Sequence, residues 1–265
     1  MRIGTIVSGS SGNSVYVGDR DTNILVDIGV STKRVVAGLT DYGVDPATLN
    51  GIFITHEHSD HIQGLGVFSR KYNIPIYATK GTIKGIVSSK SLGNFDKELL
   101  NEIRTDDNIS IGDITARPFK ISHDANEPCA YTFSNGRDKV AVATDMGIFD
   151  DYIINNLRGV DSLVLEANHD INMLMVGSYP YYLKQRILGN KGHLSNENCG
   201  RLLNKILHDD FKGVILGHLS KENNYPELAY ETVKAEISLG PGQYKGSDFP
   251  IYVAPRSENS KMFEI

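Results

Sequence analysis

Gly51-Ile52-Phe53-Ile54-Thr55-His56-Glu57-His58-Ser59-Asp60-His61 joins an apolar, β-branched run to a window holding three histidines and an aspartate. The first five residues read as a buried strand. In an extended exit from a strand, residues i and i+2 point the same way, so His56 and His58 can meet one ion. Asp60 and His61 follow a turn later and, where the chain bends, can face a second. With 8 histidines in 265 residues, a His-x-His-x-Asp-His match is expected by chance roughly five times in ten thousand such chains. A metal site explains the window better than a polar loop opening a helix at Ile62.

A two-ion site needs further imidazole or carboxylate donors, carried on other strand ends. His123 follows the run 115–121 in Ser122-His123-Asp124. Asp145 ends Val140-Ala141-Val142-Ala143-Thr144, and His218 ends Gly213-Val214-Ile215-Leu216-Gly217. Each is a polar residue where an apolar strand hands over to a loop, the usual seat of catalytic groups on a rigid scaffold. Any one alone reads more readily as a cap or turn residue; together they favour chemistry. Asp27, ending Ile24-Leu25-Val26, is either a turn aspartate or the acceptor that fixes the tautomer of a ligating histidine behind the site.

The composition sets bounds. With 40% hydrophobic and 22% charged residues and a mean hydropathy of −0.24, the chain reads as a globular protein, not a disordered, fibrous or membrane one. No apolar run approaches the ~20 residues of a bilayer-spanning helix, and Met1 to Ser8 is broken too soon by Gly and Ser for a signal-peptide core. A cytoplasmic location is the expectation. Cys129 and Cys199 lack C-x-x-C spacing, so neither a disulfide framework nor a thiolate zinc site is expected. A net charge of −5 argues against binding nucleic acid by overall charge but leaves room for a local basic stripe.

No linker or repeat divides the sequence, which reads as one domain over 1–265. Strands are expected at 2–7, 14–18, 23–28, 51–55, 75–78, 108–111, 114–120, 129–134, 139–144, 161–166, 213–217 and 250–254. Helices are expected at 31–42, 62–73, 80–89, 148–157, 179–188, 196–208 and 226–238. In 196–208, Leu202, Leu203, Ile206 and Leu207 form an apolar stripe, with Ser195 as N-cap and Glu197 in the first turn. The mixture suggests sheets covered by helices in layers.

His56-x-His58-x-Asp60-His61 with His123, Asp145 and His218 resembles the metallo-β-lactamase-fold hydrolases. Within them, Ser8-Gly9-Ser10-Ser11-Gly12-Asn13, Glu166-Ala167-Asn168-His169-Asp170, Gly192-His193-Leu194-Ser195-Asn196 and Leu216-Gly217-His218-Leu219-Ser220-Lys221-Glu222-Asn223-Asn224 are similar to the YycJ/WalJ group. The resemblance implies an α/β, four-layer αββα sandwich with two metal ions at one edge, and a 5′-to-3′ DNA exonuclease. It implies that His56, His58 and His123 hold one ion, that Asp60, His61 and His218 hold the other, and that Asp145 bridges. Two divalent ions less Asp60, Asp145 and a bridging hydroxide leave about +1, suited to a phosphodiester. Asp60 can orient the hydroxide and accept its proton. The N/O donor set admits Mn, Fe or Zn. Hydrolysis of a small phosphodiester or thioester is the alternative activity; a signalling or scaffold protein with a structural metal is the rival outside enzymes.

The resemblance brings the Ser8-to-Asn13 loop to the rim of the site, with Ser10, Ser11, Asn13 and, further on, Ser195 expected to meet substrate; a hairpin turn is the plain alternative. His169 and His193 are proton donors to the leaving oxygen, phosphate contacts or structural histidines. From Pro180 to Ile206, Lys184, Arg186, Lys191, Arg201 and Lys205 face one acid, Glu197. This stretch of +4 is the expected nucleic-acid track, with Lys184 and Arg186 as substrate contacts, unless it is a solvated helix face. Tyr179, Tyr181 and Tyr182 can stack on unpaired bases or serve packing.

Overall fold

The computed structural model describes residues 1–265. Strands β1 (Arg2–Val7), β2 (Ser14–Asp19), β3 (Thr22–Val26), β4 (Gly51–Phe53), β5 (Ile76–Thr79) and β6 (Leu100–Ile103) lie side by side in sequence order. A second sheet holds β7 (Ile109–Ile111), β8 (Ile114–Lys120), β9 (Cys129–Ser134), β10 (Lys139–Ala143), β11 (Ser162–Glu166), β12 (Gly213–Gly217) and β13 (Ile251–Val253), also in sequence order. The chain ends in β14 (Phe263–Glu264), which returns to pair antiparallel with β1. The helices are α1 (Thr32–Asp41), α2 (Ser59–Ile62), α3 (Leu65–Tyr72), α4 (Lys80–Ser88), α5 (Asp151–Leu157), α6 (Ile171–Val176), α7 (Tyr181–Leu188), α8 (Asn196–Ile206) and α9 (Pro226–Leu239).

Successive side chains of a strand point to opposite faces, and that alternation builds three apolar layers. Ile24, Val26 and Phe53 of the first sheet face Val140, Val142, Val164 and Ile215 of the second. Their neighbours Leu25 and Ile52 turn the other way, onto Val35 and Leu39 of α1 and Phe68 of α3. Ala141, Leu163, Leu165 and Leu216 turn outward onto Leu202, Leu203 and Ile206 of α8 and Val233 and Ile237 of α9. The order is helix, sheet, sheet, helix. Each fully buried Val, Leu or Ile contributes about 1.5–3 kcal/mol against conformational entropy.

Strands β3 to β6 run parallel to one another, as do β10 to β13. β8 pairs antiparallel with β9, and β9 with β10, so β8 ends on the same side as β10 to β12. Those common ends carry the polar residues singled out above. The expected strands and helices are present, with differences at the margins. β6 escaped because its Asn101 and Glu102 are exposed, leaving little apolar pattern. α6 is too short for a helical period. The helix expected over 62–73 starts at Ser59 and breaks at Gln63-Gly64, where Gly64 N donates to Ile28 O (2.9 Å) instead of back along the helix, and a Cβ on Gly64 would sit 1.9 Å from the Val30 carbonyl oxygen. Both cysteines are free and buried.

Candidate metal centre

Three residues that end or follow apolar strands hold left-handed backbone: Asp27 (φ 62°), Asp145 (φ 61°) and His218 (φ 56°). Asp tolerates this region better than most side chains, and His is enriched there too. The sharp turn it makes aims each side chain across the sheet edge instead of along the strand. A matching constraint acts at Gly29. Its backbone lies where the Asn13 and Asp60 segments meet, with Gly29 N donating to Asn13 O (2.7 Å) and Asn13 N to Asp60 O (2.8 Å). A Cβ there would stand 1.7 Å from Asp60 O, so only glycine lets these segments close on one another.

At the edge four histidines are oriented alike. His61 Nδ1 donates to Asp27 Oδ2 (2.7 Å), and His56 Nδ1 to Thr55 Oγ1 (3.0 Å), whose hydroxyl donates to the same Asp27 oxygen (2.8 Å). His123 Nδ1 donates to Gly192 O (3.1 Å), and His218 Nδ1 to Glu166 Oε1 (3.1 Å). With the outer nitrogen of each ring carrying the proton, the inner Nε2 presents a lone pair. Those lone pairs converge: His58 Nδ1 lies 3.1 Å from His56 Nε2 and 3.3 Å from His123 Nε2. His218 Nε2 lies 3.4 Å from both Asp60 and Asp145, and His61 Nε2 lies 3.4 Å from Asp60 and 3.2 Å from Asp145 Oδ2.

Donor atoms lie within 4.8 Å of one another in the trios His56–His58–His123, Asp60–His61–His218 and His56–His61–Asp145. Asp145 Oδ2 is buried and has no hydrogen-bond partner. A buried carboxylate among these imidazoles needs positive charge beside it, from protons on His61 and His218 in the metal-free chain or from bound cations in their place. The donor chemistry therefore fits two divalent ions, with open positions left for water. Burial and the neighbouring imidazoles hold His56 well below the ordinary histidine range. Burial would also lower His61, but Asp145, Asp27 and Asp60 together hold it well above; at His218 the same contest, with Asp145, Asp60 and Glu166 winning, takes the ring to about 10. Burial works against Asp60 ionising, yet His61 and His218 hold it well below the ordinary carboxylate range.

Sequence reasoning assigned no role to Glu166. It is fully buried, and its Oε1 accepts from both His193 Nδ1 (2.7 Å) and His218 Nδ1 (3.1 Å), while Oε2 accepts from Met146 N (2.9 Å) and Leu194 N (3.1 Å). Despite burial, His193 brings its pKa down to about 2. The signal was available, since Glu166 ends an apolar strand as Asp27 and Asp145 do. It changes the charge count as well. Counted with the same bridging hydroxide, Asp27, Asp60, Asp145 and Glu166 take two divalent ions to about −1, so the surplus of about +1 expected from two carboxylates is gone.

Other expectations are redistributed. His193 is half-buried, stacked on His218 at 5.2 Å and facing His123 at 5.1 Å. His169 is buried and joins none of the donor groups; its Nδ1 meets Asn168 Oδ1 (3.3 Å) and its Nε2 has no partner. Its ring is closed off from solvent, 1% exposed. Ser10 and Ser11 are exposed on their loop, but Asn13 is buried, bridging Gly9 and His61 Nε2 (3.2 Å). Ser195 is buried, and its hydroxyl caps α8 through Asn198 N (3.2 Å). In the metal-free chain the side chains of both Asn13 and Ser195 are thus engaged within the protein. Lys184 Nζ donates to Met175 O (2.7 Å), Arg186 pairs with Asp124 (2.5 Å) and Arg201 with Glu236 (3.3 Å). The basic stretch is therefore partly neutralised by acids from outside it.

The comparisons with known proteins agree on kinship. Residues 22–211 match the model of the beta-lactamase superfamily domain. The chain is 40% identical over 263 residues to exodeoxyribonuclease WalJ of Streptococcus pneumoniae, spanning 98% of this chain and 96% of that protein. It is 38% identical over 233 residues to exodeoxyribonuclease YycJ of Bacillus anthracis, spanning 88% of each. In fold it is similar to the metallo-beta-lactamase fold protein YhfI from Bacillus subtilis, with a TM-score of 0.69, 16% identity and 98% of each chain covered.

Proposed function

The chain belongs to the beta-lactamase superfamily, within it to the family of the WalJ and YycJ exodeoxyribonucleases, and from that premise we propose that it is a two-metal exodeoxyribonuclease working 5′ to 3′ in the cytoplasm. The observation that carries the reading is the convergence of bare histidine nitrogens and the unpartnered Asp145 oxygen at one sheet edge. His56, His58 and His123 would hold one ion and Asp60, His61 and His218 the other, with Asp145 within reach of both groups. Divalent ions held there supply Lewis acidity, lowering the pKa of water and drawing charge from the phosphoryl group.

The protein's own groups do the positioning. Asp60, with its side chain 22% exposed, is the most open carboxylate of the cluster, placed to orient the attacking water and take its proton. His193, anchored through Nδ1 on Glu166, keeps Nε2 free to deliver a proton to the departing oxygen. Ser10 and Ser11 lie on the loop tied to Asp60 through Asn13, where they can contact a phosphate. Arg186 is paired with Asp124 beside His123, and Lys184 on the same helix adds positive charge. No helix is long and apolar enough to cross a membrane, and DNA is the partner.

The test is digestion of 5′-phosphorylated duplex DNA with Mn, Fe or Zn in turn. Nucleotide release by the wild type, lost in His58→Ala, is the expected outcome and also identifies the working metal. Absence of release with all three metals overturns the reading.

A further inference from the structure

α6 and α7 form a helical hairpin between the loop that follows β11 and the segment bearing His193. Its outer surface is unusual. Val176, Tyr181 and Tyr182 are 87%, 73% and 75% exposed, which leaves two adjacent aromatic rings open to solvent. The hairpin is nevertheless held firmly. Lys184 Nζ clips it to Met175 O (2.7 Å), His193 N donates to Ile187 O (3.0 Å), and Arg186 Nε donates to Asp124 Oδ2 (2.5 Å). Asp124 Oδ1 in turn lies 3.4 Å from His123 Nε2.

Tyr182 and Arg186 are four residues apart on α7, so they share a face about one turn, ~5.4 Å, apart. One ring thus stands a single helical turn from an arginine that touches the residue next to a donor of the metal centre. Charge favours a polyanion as the occupant: from Ile171 to Asn196 there is no Asp or Glu, while Lys184, Arg186 and Lys191 are present. Aromatic faces set among cations are how proteins hold unpaired nucleic acid, because every base has a π-face.

The geometry points to Tyr181 and Tyr182 as a base-stacking platform that holds the unpaired nucleobases of a DNA end beside the metal centre, with Lys184 and Lys191 against its phosphates. This rests on the nuclease reading. It explains why the rings are exposed, why the hairpin carries no acid, and why it is tied to the His123 loop.

Affinity for a 5′-phosphorylated single-stranded oligonucleotide, labelled at its 3′ end and protected by phosphorothioate linkages, tests it by anisotropy with the metal-loaded full chain. Tyr181→Ala with Tyr182→Ala should weaken binding about 5- to 100-fold without changing the slope of log Kd against log salt, since stacking releases no counterions. Tyr181→Phe with Tyr182→Phe should bind like the wild type. An abasic oligonucleotide should bind the wild type weakly and no longer distinguish it from the alanine variant. Equal binding by wild type and alanine variant overturns the platform, as does a change of oligomeric state in sedimentation without a change in DNA affinity. A wild type that shows the stacking signature but releases no nucleotides keeps the platform and overturns the nuclease reading; one that digests DNA while the tyrosines are indifferent does the reverse.

Discussion

Asp27 Oδ2 accepts a hydrogen bond from His61 Nδ1 at 2.7 Å, and the same carboxylate receives Thr55 N at 2.9 Å and Thr55 Oγ1 at 2.8 Å. One buried aspartate therefore decides which nitrogen of His61 faces the centre, and through Thr55 it supports His56 as well. Asp27→Asn preserves the left-handed backbone, which Asn tolerates, but offers an amide N–H where His61 needs an acceptor. The expected result is a 10- to 100-fold loss of affinity for one of two metal ions. Chelator competition followed by metal analysis reads it, and two ions retained at unchanged affinity would remove Asp27 from the site.

Glu166→Gln should separate orientation from ligation. Glu166 touches no bare donor nitrogen but bonds the outer nitrogens of His193 and His218. Loss of its charge should lower kcat roughly 10- to 100-fold on a scale set by other metal-site supports, with the larger effect on kcat than on KM. A change confined to KM would point to substrate binding instead.

Metal removal should make stability depend on pH in a set direction. Without ions, burial opposes but Asp145, Asp60 and Glu166 raise His218 to about 10. A raised pKa stabilises the folded chain fully below ~6.5, the unfolded value, and that contribution is lost as pH climbs through about 10. Ions replace these protons in the loaded protein. The gap in Tm between loaded and metal-free chains should therefore widen from pH 6.5 to 9.5, measured by calorimetry at fixed free metal; a gap that narrows contradicts the site.

His169 predicts the opposite trend. Burial holds it down to about 4, so the unfolded chain binds its proton first as pH falls. The stability present above ~6.5 is lost between there and about 4, on the order of 3 kcal/mol at most. Urea unfolding at pH 7.0, 5.5 and 4.5 should show His169→Gln less sensitive to acid than the wild type. Parallel slopes would mean that His169 is protonated or solvated in the folded chain.

Gly29→Ala should act on the site without touching a donor. The added Cβ meets the Asp60 carbonyl, so Asp60 and His61 must shift together. Activity should fall at least tenfold, by analogy with the cost of small misplacements, while circular dichroism stays that of the folded chain. Wild-type activity would mean that the loop yields at no expense to the centre.

The linear order of residues carried much of this. The His56 to His61 window, the strands ending in Asp145 and His218 and the period-two apolar runs are local patterns. Hence the layered fold and the candidate donor residues were legible in the chain order. Asp27 could be read as well, since a carboxylate ending an apolar strand is a local signal, and the same rule would have reached Glu166. What the chain order cannot hold is which polar atom is already taken. Ser195 and Asn13 looked free because their partners are an α8 backbone N–H, Gly9 and His61; Arg186 looked free because Asp124 is 62 residues away in sequence. Burial of His169, neutralisation of the basic stretch and exposure of Tyr181 and Tyr182 are likewise settled by packing. Hydrogen-bond valence and solvent access are properties of a volume, and only the tertiary structure distributes them.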